Sequence, residues 1–357
     1  MKQSILDEKD KIYRNDPENM ILAISELSEQ VSDTWQKIKN FIIPAHYLNI
    51  SKVVVAGIGG SAIGTDMIIG YARENITKPI ELVRDYNLPG YVDNKTLVIV
   101  SSYSGNTEET LSCFKQAYES NAKIIGVAHA GELKKICENY KIPFFKIDYD
   151  AQPRAASPSS FIAIAGILNK LGIISILDSD IENTCEEIKK FKEKIDINIS
   201  VKTNQAKILA EKIHPYIPFI IGSGSLFQVA HKFKISINEN AKQLAFFEAI
   251  PEMNHNTMTG LEFPDDLGKK IYVIILQSVY DHPRNKLRQR IMLNILNKRK
   301  IKYDTIMIPQ SSSMLSEMFM MLELTDYVSY YLALLNSVDP TPVEIVEYFK
   351  NQIKKEV

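Results

Sequence analysis

The stretch KVVVAGIGGSAIGTDMIIGY, residues 52–71, is an apolar run followed by a glycine-rich turn and a helix-like segment. Buried strands of parallel sheets are near-continuous apolar runs, and glycine at a strand end lets the chain turn tightly into a helix. The stretch is therefore predicted to be one strand–turn–helix unit of an α/β domain. Such a turn leads into a helix N-terminus, where free N–H groups and the helix dipole favour an anion.

The same unit occurs a second time along the chain. The stretch IPFIIGSGSLFQVAHKFKISI, residues 217–237, again has a strand, a glycine–serine turn and a helix, and Gly222 lies 165 positions after Gly57. The segments 96–114 and 269–291 also correspond, as do the apolar helices predicted at 158–168 and 325–335. Alternating strands and helices predict parallel sheets, so two copies predict two similar α/β domains that meet between about residues 175 and 200.

The segment before the first unit is predicted to be an amphipathic helix that packs on the first domain. Asp16-Pro17-Glu18 has the carboxylate and the proline of a helix start. Apolar residues then recur every three or four positions, at Met20, Ile24, Leu27, Val31, Trp35, Ile38 and Ile42. We interpret this stripe, with its tryptophan, as core.

Composition excludes several classes of protein. With 42 basic and 43 acidic residues, the chain offers no electrostatic reason to bind nucleic acid or a membrane surface. Cys113, Cys137 and Cys185 are odd in number and far apart, which favours a reducing compartment over a disulfide framework. No apolar run reaches the roughly 18 residues of a membrane span, and the N-terminus has no signal-peptide core. We therefore expect a cytoplasmic protein.

Two loops predict a phosphate site in the first domain. Residues 57–62, GIGGSA, nearly match the dinucleotide fingerprint, although a tight turn without a ligand would look the same. Residues 101–110, SSYSGNTEET, place a cluster of hydroxyls after a later strand, where they suit either helix caps or a phosphate. The two loops together favour a phosphomonoester, held by Gly59, Gly60, Ser61, Ser102, Ser104 and Thr107. Residues 277–285, QSVYDHPRN, lack the hydroxyl cluster, so one phosphate site per chain is predicted.

Six stretches, in order, resemble the bifunctional phosphoglucose/phosphomannose isomerases, which consist of two sugar isomerase (SIS) domains. They are AGIGGSAIG, SSYSGNTEET, QPRAASPSSF, NENAK, PEMNHN and SYYLALLNSVDPTPVEIVEYFK. The resemblance, from about residue 20 to the C-terminus, implies two flavodoxin-like SIS domains, each a parallel sheet of about five strands flanked by helices. We expect these domains at 46–180 and 181–357, with residues 1–45 as the N-terminal helical extension.

The resemblance also implies an activity. It is the interconversion of glucose 6-phosphate, and of mannose 6-phosphate, with fructose 6-phosphate through an enediol intermediate, without a cofactor. The six histidines show no spacing typical of a zinc site, which agrees with a metal-independent reaction.

Four catalytic residues follow from the resemblance. Glu239 is the base that moves the proton, and its neighbours Asn238 and Asn240 are expected to fix its geometry. His255 opens the sugar ring and reaches the active site from the other subunit, which implies a homodimer. Arg154 stabilises the developing oxyanion without losing its charge.

Lys350 is the fourth of these residues, and it is expected near the ring oxygen and His255. Its own sequence context leaves two interpretations open. Residues 341–344, Thr-Pro-Val-Glu, have the pattern of a capping box, and Val346, Lys350 and Ile353 share one face of the helix that would follow. A lysine on an apolar stripe either extends its ammonium to water or serves a site.

Other functions remain open at this point. A non-catalytic SIS domain that senses a sugar phosphate would keep both phosphate loops, but it has no need of Glu239, His255 and Lys350 together. A fragment of glucosamine-6-phosphate synthase is less favoured, because no N-terminal nucleophilic cysteine is present. A dinucleotide-dependent oxidoreductase is the third alternative.

Overall fold

A computed structural model describes residues 4–308 and 311–355 of the 357-residue chain. Within these residues the strands are β1 (Lys52–Gly57), β2 (Ile80–Val83), β3 (Thr96–Ser101), β4 (Lys123–Ala128), β5 (Phe144–Lys146), β6 (Ile217–Ser223), β7 (Phe246–Ile250), β8 (Ile271–Gln277) and β9 (Lys302–Met307). The α-helices are α1 (Lys9–Asn15), α2 (Met20–Ser25), α3 (Leu27–Lys39), α4 (Gly60–Ala72), α5 (Glu108–Glu119), α6 (Glu132–Asn139), α7 (Ser157–Lys170), α8 (Asp178–Lys192), α9 (Gln205–Ile213), α10 (Leu226–Asn240), α11 (Thr257–Gly260), α12 (Pro283–Lys298), α13 (Met314–Leu335) and α14 (Glu344–Ile353). Short 3-10 helices lie at Ile5–Asp7, Ala45–Leu48, Glu252–His255 and Leu267–Lys269.

The first half of the chain forms a five-stranded parallel sheet in the order β2-β1-β3-β4-β5. This is the flavodoxin-like order that the sequence predicts. Its direction of winding changes between β1 and β3, so the loops at their carboxyl ends flank a crevice, which is where ligands bind in such sheets. Val54, Val55, Leu97 and Val98 are fully buried in these two strands, because helices cover both faces.

The second half repeats this arrangement with a four-stranded parallel sheet in the order β7-β6-β8-β9. The prediction of two similar parallel-sheet domains is confirmed. In the first half, β4 is followed by α6 and β5 before the apolar helix α7. In the second half, β9 ends at Met307 and the corresponding helix α13 begins at Met314. The described part of the second half therefore has one helix–strand unit fewer.

The predicted N-terminal helix is two helices, α2 and α3, that meet at Glu26. The Asp16 carboxylate accepts hydrogen bonds from the backbone N–H groups of Met20 (2.7 Å) and Ile21 (3.0 Å), so the aspartate holds the start of α2. Trp35 is buried, as predicted, and its indole N–H donates to Asp178. Ile42 is 82% exposed, because α3 ends at Lys39, and its placement in the buried stripe was wrong.

The N-terminal helices contact both halves of the chain. Helix α3 packs against α7 and α8, whereas α2 packs against α13. The hydroxyl of Tyr330, in α13, donates to Asp16 at 3.1 Å. The predicted domain limits after residues 45 and 180 stay a prediction.

The two halves share one apolar core. Helices α7 and α13 are buried almost all round, and the rings of Phe161 and Phe319 meet edge to face with centroids 5.1 Å apart. A continuous cluster of buried side chains extends from Val53 in β1 to Leu334 in α13. A helix that is apolar on every face is expected at such a centre. None of the described helices combines the length and apolar character needed to cross a membrane.

Candidate active site

The two predicted phosphate loops lie side by side at the carboxyl end of the first sheet. Gly57 and Ser101, the last residues of β1 and β3, are paired in the sheet, so the loops that follow start next to each other. The Ser61 hydroxyl accepts a hydrogen bond from the backbone N–H of Tyr103 at 3.0 Å. The structure thus joins the loops at the change of winding direction, next to the N-terminus of α4, which is the kind of place that favours an anion.

The hydroxyls of this site are held by one another and by backbone N–H groups. The hydroxyls of Ser102 and Thr107 lie 2.8 Å apart, and Ser104 accepts a hydrogen bond from the backbone N–H of Asn106 at 3.3 Å. Ser61 and Ser102 are buried, whereas Ser104 is exposed. The arrangement offers hydroxyl and backbone donors without a positive charge.

Glycine is required where the first loop meets the segment between β5 and α7. A side chain at Gly60 would place its Cβ 2.6 Å from the carbonyl oxygen of Pro153, so only glycine permits this approach. Gly59 has a positive φ of 58°, which also favours glycine. The contact brings Arg154, the residue after Pro153, next to the first of the two predicted phosphate loops.

Arg154 is a buried link between the two halves of the chain. Its Nε donates to the Asn240 side-chain oxygen at 2.5 Å, and its Nη2 donates to the carbonyl oxygens of Pro340 and Thr341, both at 2.6 Å. Its Nη1 forms an ion pair with Glu239 at 3.4 Å. Burial lowers the pKa of Arg154, and the Glu239 carboxylate opposes that shift. An arginine stays charged in such a place because its ordinary pKa is far above neutral.

Glu239 lies in the last turn of α10, and its side chain is 35% exposed. The structure therefore brings the predicted base to Arg154 although the two residues are 85 positions apart. Of the two neighbours of Glu239, Asn240 accepts a hydrogen bond from Arg154, whereas the Asn238 amide donates to the Gln243 carbonyl. Neither asparagine side chain binds Glu239 directly, so the expectation that both fix its geometry stays a prediction.

Lys242 is a residue of this region that the sequence analysis missed. Its ammonium donates to the carbonyl oxygens of Glu239 (3.0 Å), Asn240 (3.3 Å) and Asp339 (2.6 Å). Desolvation and the nearby Arg154 charge lower the pKa of Lys242 to about 8, although the side chain is partly exposed. Lysines often bind the last carbonyls of a helix, so the position of Lys242 just after α10 was the available signal.

His255 does not lie beside Glu239 within one chain. Helix α10 ends shortly before β7 begins, so Glu239 is at the amino end of the second sheet. His255 follows β7, at the carboxyl end, in an exposed 3-10 helix. The five residues of β7 alone extend about 17 Å at 3.3–3.4 Å per residue, which separates the two side chains.

Lys350 is exposed on helix α14. Helix α14 buries none of its residues, and Lys350 is exposed together with Val346 and Ile353. The predicted capping box is wrong, because the residue before the helix is Val343 and no side chain caps it. Thr341 is buried at the Arg154 contact, where its carbonyl oxygen binds the guanidinium, and its hydroxyl caps no backbone N–H of α14.

The corresponding crevice of the second sheet is closed by the chain itself. The Glu317 carboxylate, from α13, accepts hydrogen bonds from the Ser278 hydroxyl and from the backbone N–H of Val279. Asp281 accepts a hydrogen bond from Ser223 at 2.7 Å. Two buried carboxylates thus occupy donors at this end of the second sheet that a phosphate would otherwise need. Burial raises the pKa of Glu317.

Metal binding has no candidate here: in residues 4–308 and 311–355, no group of three His, Cys, Asp or Glu side chains is arranged to hold a metal ion.

Comparison with known proteins gives matches in sequence and in fold. A family profile described as "Bacterial phospho-glucose isomerase C-terminal SIS domain" matches residues 202–353. A bifunctional phosphoglucose/phosphomannose isomerase of Caldicellulosiruptor bescii is 37% identical over 335 residues, which cover 94% of this chain and 98% of that protein. A protein of the same name from Aquifex aeolicus is 31% identical, over 90% of this chain and 94% of its own length.

The fold matches a crystal structure of a glucose-6-phosphate isomerase-like protein from Thermus thermophilus. The TM-score is 0.62 at 15% identity, over 96% of this chain and 98% of that chain. At this identity the likeness is one of fold alone.

Proposed function

The chain belongs to the bifunctional phosphoglucose/phosphomannose isomerase family, and we propose that it interconverts glucose 6-phosphate and mannose 6-phosphate with fructose 6-phosphate. The observation that carries the proposal is the position of the Arg154–Glu239 ion pair. It lies where the Arg154 segment touches Gly60, in the glycine-rich loop that the structure joins to the hydroxyl-rich loop after β3. A phosphate anchor, a carboxylate base and a fixed cation are the groups that an aldose–ketose isomerisation needs.

The phosphate is held by the loops after β1 and β3. We assign its binding to Ser61, Ser102, Ser104 and Thr107, with backbone access at Gly59 and Gly60. This places the negative charge at the N-terminus of α4, and the sugar carbons extend toward the second half of the chain.

Glu239 transfers the proton between C1 and C2. Its carboxylate removes the proton from C2 of the open-chain aldose, and the C1 carbonyl becomes the oxyanion of an enediolate. The same carboxyl group returns the proton to C1, and the proton of the C2 hydroxyl passes to the C1 oxyanion, which leaves the C2 carbonyl and the C1 hydroxyl of the ketose. Glucose 6-phosphate and mannose 6-phosphate differ only at C2, and this difference is lost in the planar enediol. One base therefore serves both substrates.

Arg154 stabilises the enediolate. Four of the five guanidinium N–H groups donate to Asn240, Pro340, Thr341 and Glu239, which fixes the plane of the group. One Nη1 N–H has no acceptor among residues 4–308 and 311–355, and we assign it to the developing oxyanion.

His255 and Lys350 complete the site in a homodimer. His255 and Glu239 lie at opposite ends of the second sheet, so the assignment of His255 to ring opening requires the histidine of the other subunit. Lys350 lies on α14, whose apolar side chains are exposed in the single chain, and we place it near the ring oxygen in the assembled dimer. The cytoplasmic location expected from the sequence belongs to the same proposal.

The first test is a coupled isomerase assay on both aldose phosphates. Glu239→Gln is expected to lose about 10²–10⁴-fold in kcat on both, the usual contribution of a general base, with KM little changed. Glu119→Gln, an exposed carboxylate at the end of α5, is the matched control. Activity of Glu239→Gln within a few-fold of the wild type would remove this residue from the mechanism.

The shared site is tested by mixing inactive variants. Glu239→Gln and His255→Ala homodimers are each expected to be inactive, whereas a mixed dimer has one site with both wild-type residues. Random pairing makes half of the dimers mixed, so recovery approaches roughly a quarter of wild-type activity. Subunit exchange is measured separately with labelled chains. Demonstrated exchange without recovery would place His255 within its own chain or outside the mechanism.

Thermal-shift measurements distinguish the remaining alternatives. Stabilisation by fructose 6-phosphate and 6-phosphogluconate is expected, because both carry the phosphate that the loops bind. Binding of these ligands without turnover would indicate a sensor, and stabilisation by NADP would indicate a dinucleotide-dependent enzyme.

A further inference from the structure

Tyr103 connects the phosphate loops to the segment that carries Arg154. Its backbone N–H donates to the Ser61 hydroxyl at 3.0 Å, which ties the loop after β3 to the loop after β1. Its own hydroxyl donates to the Tyr149 carbonyl oxygen at 2.7 Å and accepts from the Ala151 backbone N–H at 2.9 Å. One residue thus holds three segments of the site.

The ring of Tyr103 is itself fixed. It stacks on His129, with centroids 5.4 Å apart and an interplanar angle of 18°. The backbone N–H of His129 donates to the Tyr103 carbonyl oxygen at 2.9 Å. A side chain held at its backbone, ring and hydroxyl has little freedom, so its hydroxyl is a fixed point for the neighbouring segment.

The segment that it holds is short and leads directly to the guanidinium. Ala151 is three residues before Arg154, and the backbone turns tightly between them, with the Ala155 N–H donating to the Gln152 carbonyl oxygen at 2.8 Å. At the other end Ser157 begins α7. Because backbone hydrogen bonds from Ala155 and Ala156 to the Gln152 carbonyl hold this turn, a movement at Ala151 shifts Arg154 with it.

We propose that Tyr103 is a positioning residue for Arg154, and that it fixes the position of the guanidinium relative to the phosphate loops. This inference rests on the proposed function. The Tyr103 hydroxyl is not assigned to the phosphate, because it already donates a hydrogen bond to the Tyr149 carbonyl and accepts one from the Ala151 N–H. Its effect is therefore on the chemical step rather than on substrate binding.

The test is Tyr103→Phe, which removes only the hydroxyl and keeps the ring on His129. A misplacement of about 1 Å costs on the order of 10²-fold, so kcat is expected to fall roughly 10- to 100-fold. KM for fructose 6-phosphate is expected to stay within about twofold of the wild type, since the phosphate donors are untouched. Tyr118→Phe, which removes an exposed hydroxyl, is the control.

A double-mutant cycle with Arg154→Lys distinguishes this role from a general structural one. If Tyr103 acts through Arg154, Tyr103→Phe costs little once the guanidinium is gone, and the double variant has nearly the kcat of Arg154→Lys. Hydrogen exchange at Ala151 provides a readout besides activity, and it is expected to be faster in Tyr103→Phe.

Three kinetic results would overturn the inference. They are an unchanged kcat in Tyr103→Phe, an effect of Tyr103→Phe on KM alone, and a double variant whose loss in kcat equals the product of the losses in Tyr103→Phe and Arg154→Lys. Unchanged hydrogen exchange at Ala151 would do the same. A wild-type protein that isomerises neither aldose phosphate contradicts the proposed function instead, so the two failures are distinguishable.

Discussion

Replacing Arg154 with alanine is expected to destabilise the fold as well as abolish the proposed chemistry. The change removes donors from the Asn240 oxygen and from the carbonyl oxygens of Pro340 and Thr341, all at 2.5–2.6 Å and shielded from water. Each buried acceptor left without a donor costs about 1–3 kcal/mol. The Glu239 interaction adds less, because its carboxylate is 35% exposed.

These contributions are not additive, and we expect a loss of about 3–5 kcal/mol in the free energy of unfolding, which is typical of breaking a buried charged group's contacts. The assay is denaturation in urea, followed by circular dichroism. Arg299→Ala is the control: Arg299 pairs with Glu262, both are about half exposed, and we expect a loss of at most about 1 kcal/mol. If Arg154→Ala unfolds within about 1 kcal/mol of the wild type, Arg154 does not join the two halves as described.

Three further predictions concern the anchor, the loop contact and a buried carboxyl. The double variant Ser104→Ala/Thr107→Ala is expected to raise KM for fructose 6-phosphate, since each hydrogen bond to a charged group contributes roughly 1.5–3 kcal/mol; an unchanged KM would place the phosphate elsewhere. Gly60→Ala is expected to lower kcat at least tenfold, on the order of a small misplacement of the neighbouring segment, because its Cβ would lie 2.6 Å from a backbone carbonyl. Gly90→Ala, with nothing within 4 Å of the new Cβ, provides the comparison, and equal activity of the two variants would contradict the close approach. Burial raises the pKa of Glu323 well above 4.5, so the folded state holds a proton that the unfolded state releases, and stability falls as pH rises above 4.5. The slope is at most about 1.4 kcal/mol per pH unit, and urea midpoints between pH 5 and 8 are expected to depend less on pH in Glu323→Gln; equal slopes would mean that this carboxyl does not titrate as described.

The sheets and the phosphate loops were predictable because their signals are local. An apolar run followed by glycines, as at residues 53–60, specifies a buried strand and its turn from neighbouring residues alone. The second copy of the pattern then predicted the second sheet. Of the site, the positions of Ser61 and Ser102 at adjacent strand ends followed from the same reasoning.

The meeting of Arg154 with Glu239 was not predictable from pattern. The two residues are 85 positions apart and belong to different halves, so only tertiary packing brings them together. Their assignment came from the family resemblance. The contact of Tyr103 with the Ala151 segment was missed for the same reason, since a tyrosine within a serine-rich loop carries no local signal of its partner.

The error at α14 has a tertiary cause as well. Thr341 has the sequence of a capping residue, but its carbonyl oxygen binds the guanidinium and the residue is buried there. The buried contact of Thr341 outweighs its local preference to cap a helix. The helix accordingly begins at Glu344 and not directly after Thr341.

The common core of the two halves limits how substrate enters and product leaves. Enzymes built from two separate lobes often admit substrate by hinge bending, which leaves each lobe with an intact interior. In this chain, such a rotation would pull apart α7 and α13 and expose the packed rings of Phe161 and Phe319 to water. Traffic through the site therefore depends on peripheral segments rather than on opening of the molecule. Within a single chain, helix α14 buries none of its residues, so a movement of this helix would break no buried side-chain packing there. Substrate entry and product release are then controlled by segments at the surface. Mutations within the shared core are expected to lower the stability of the protein before they change the rates of substrate entry and product release.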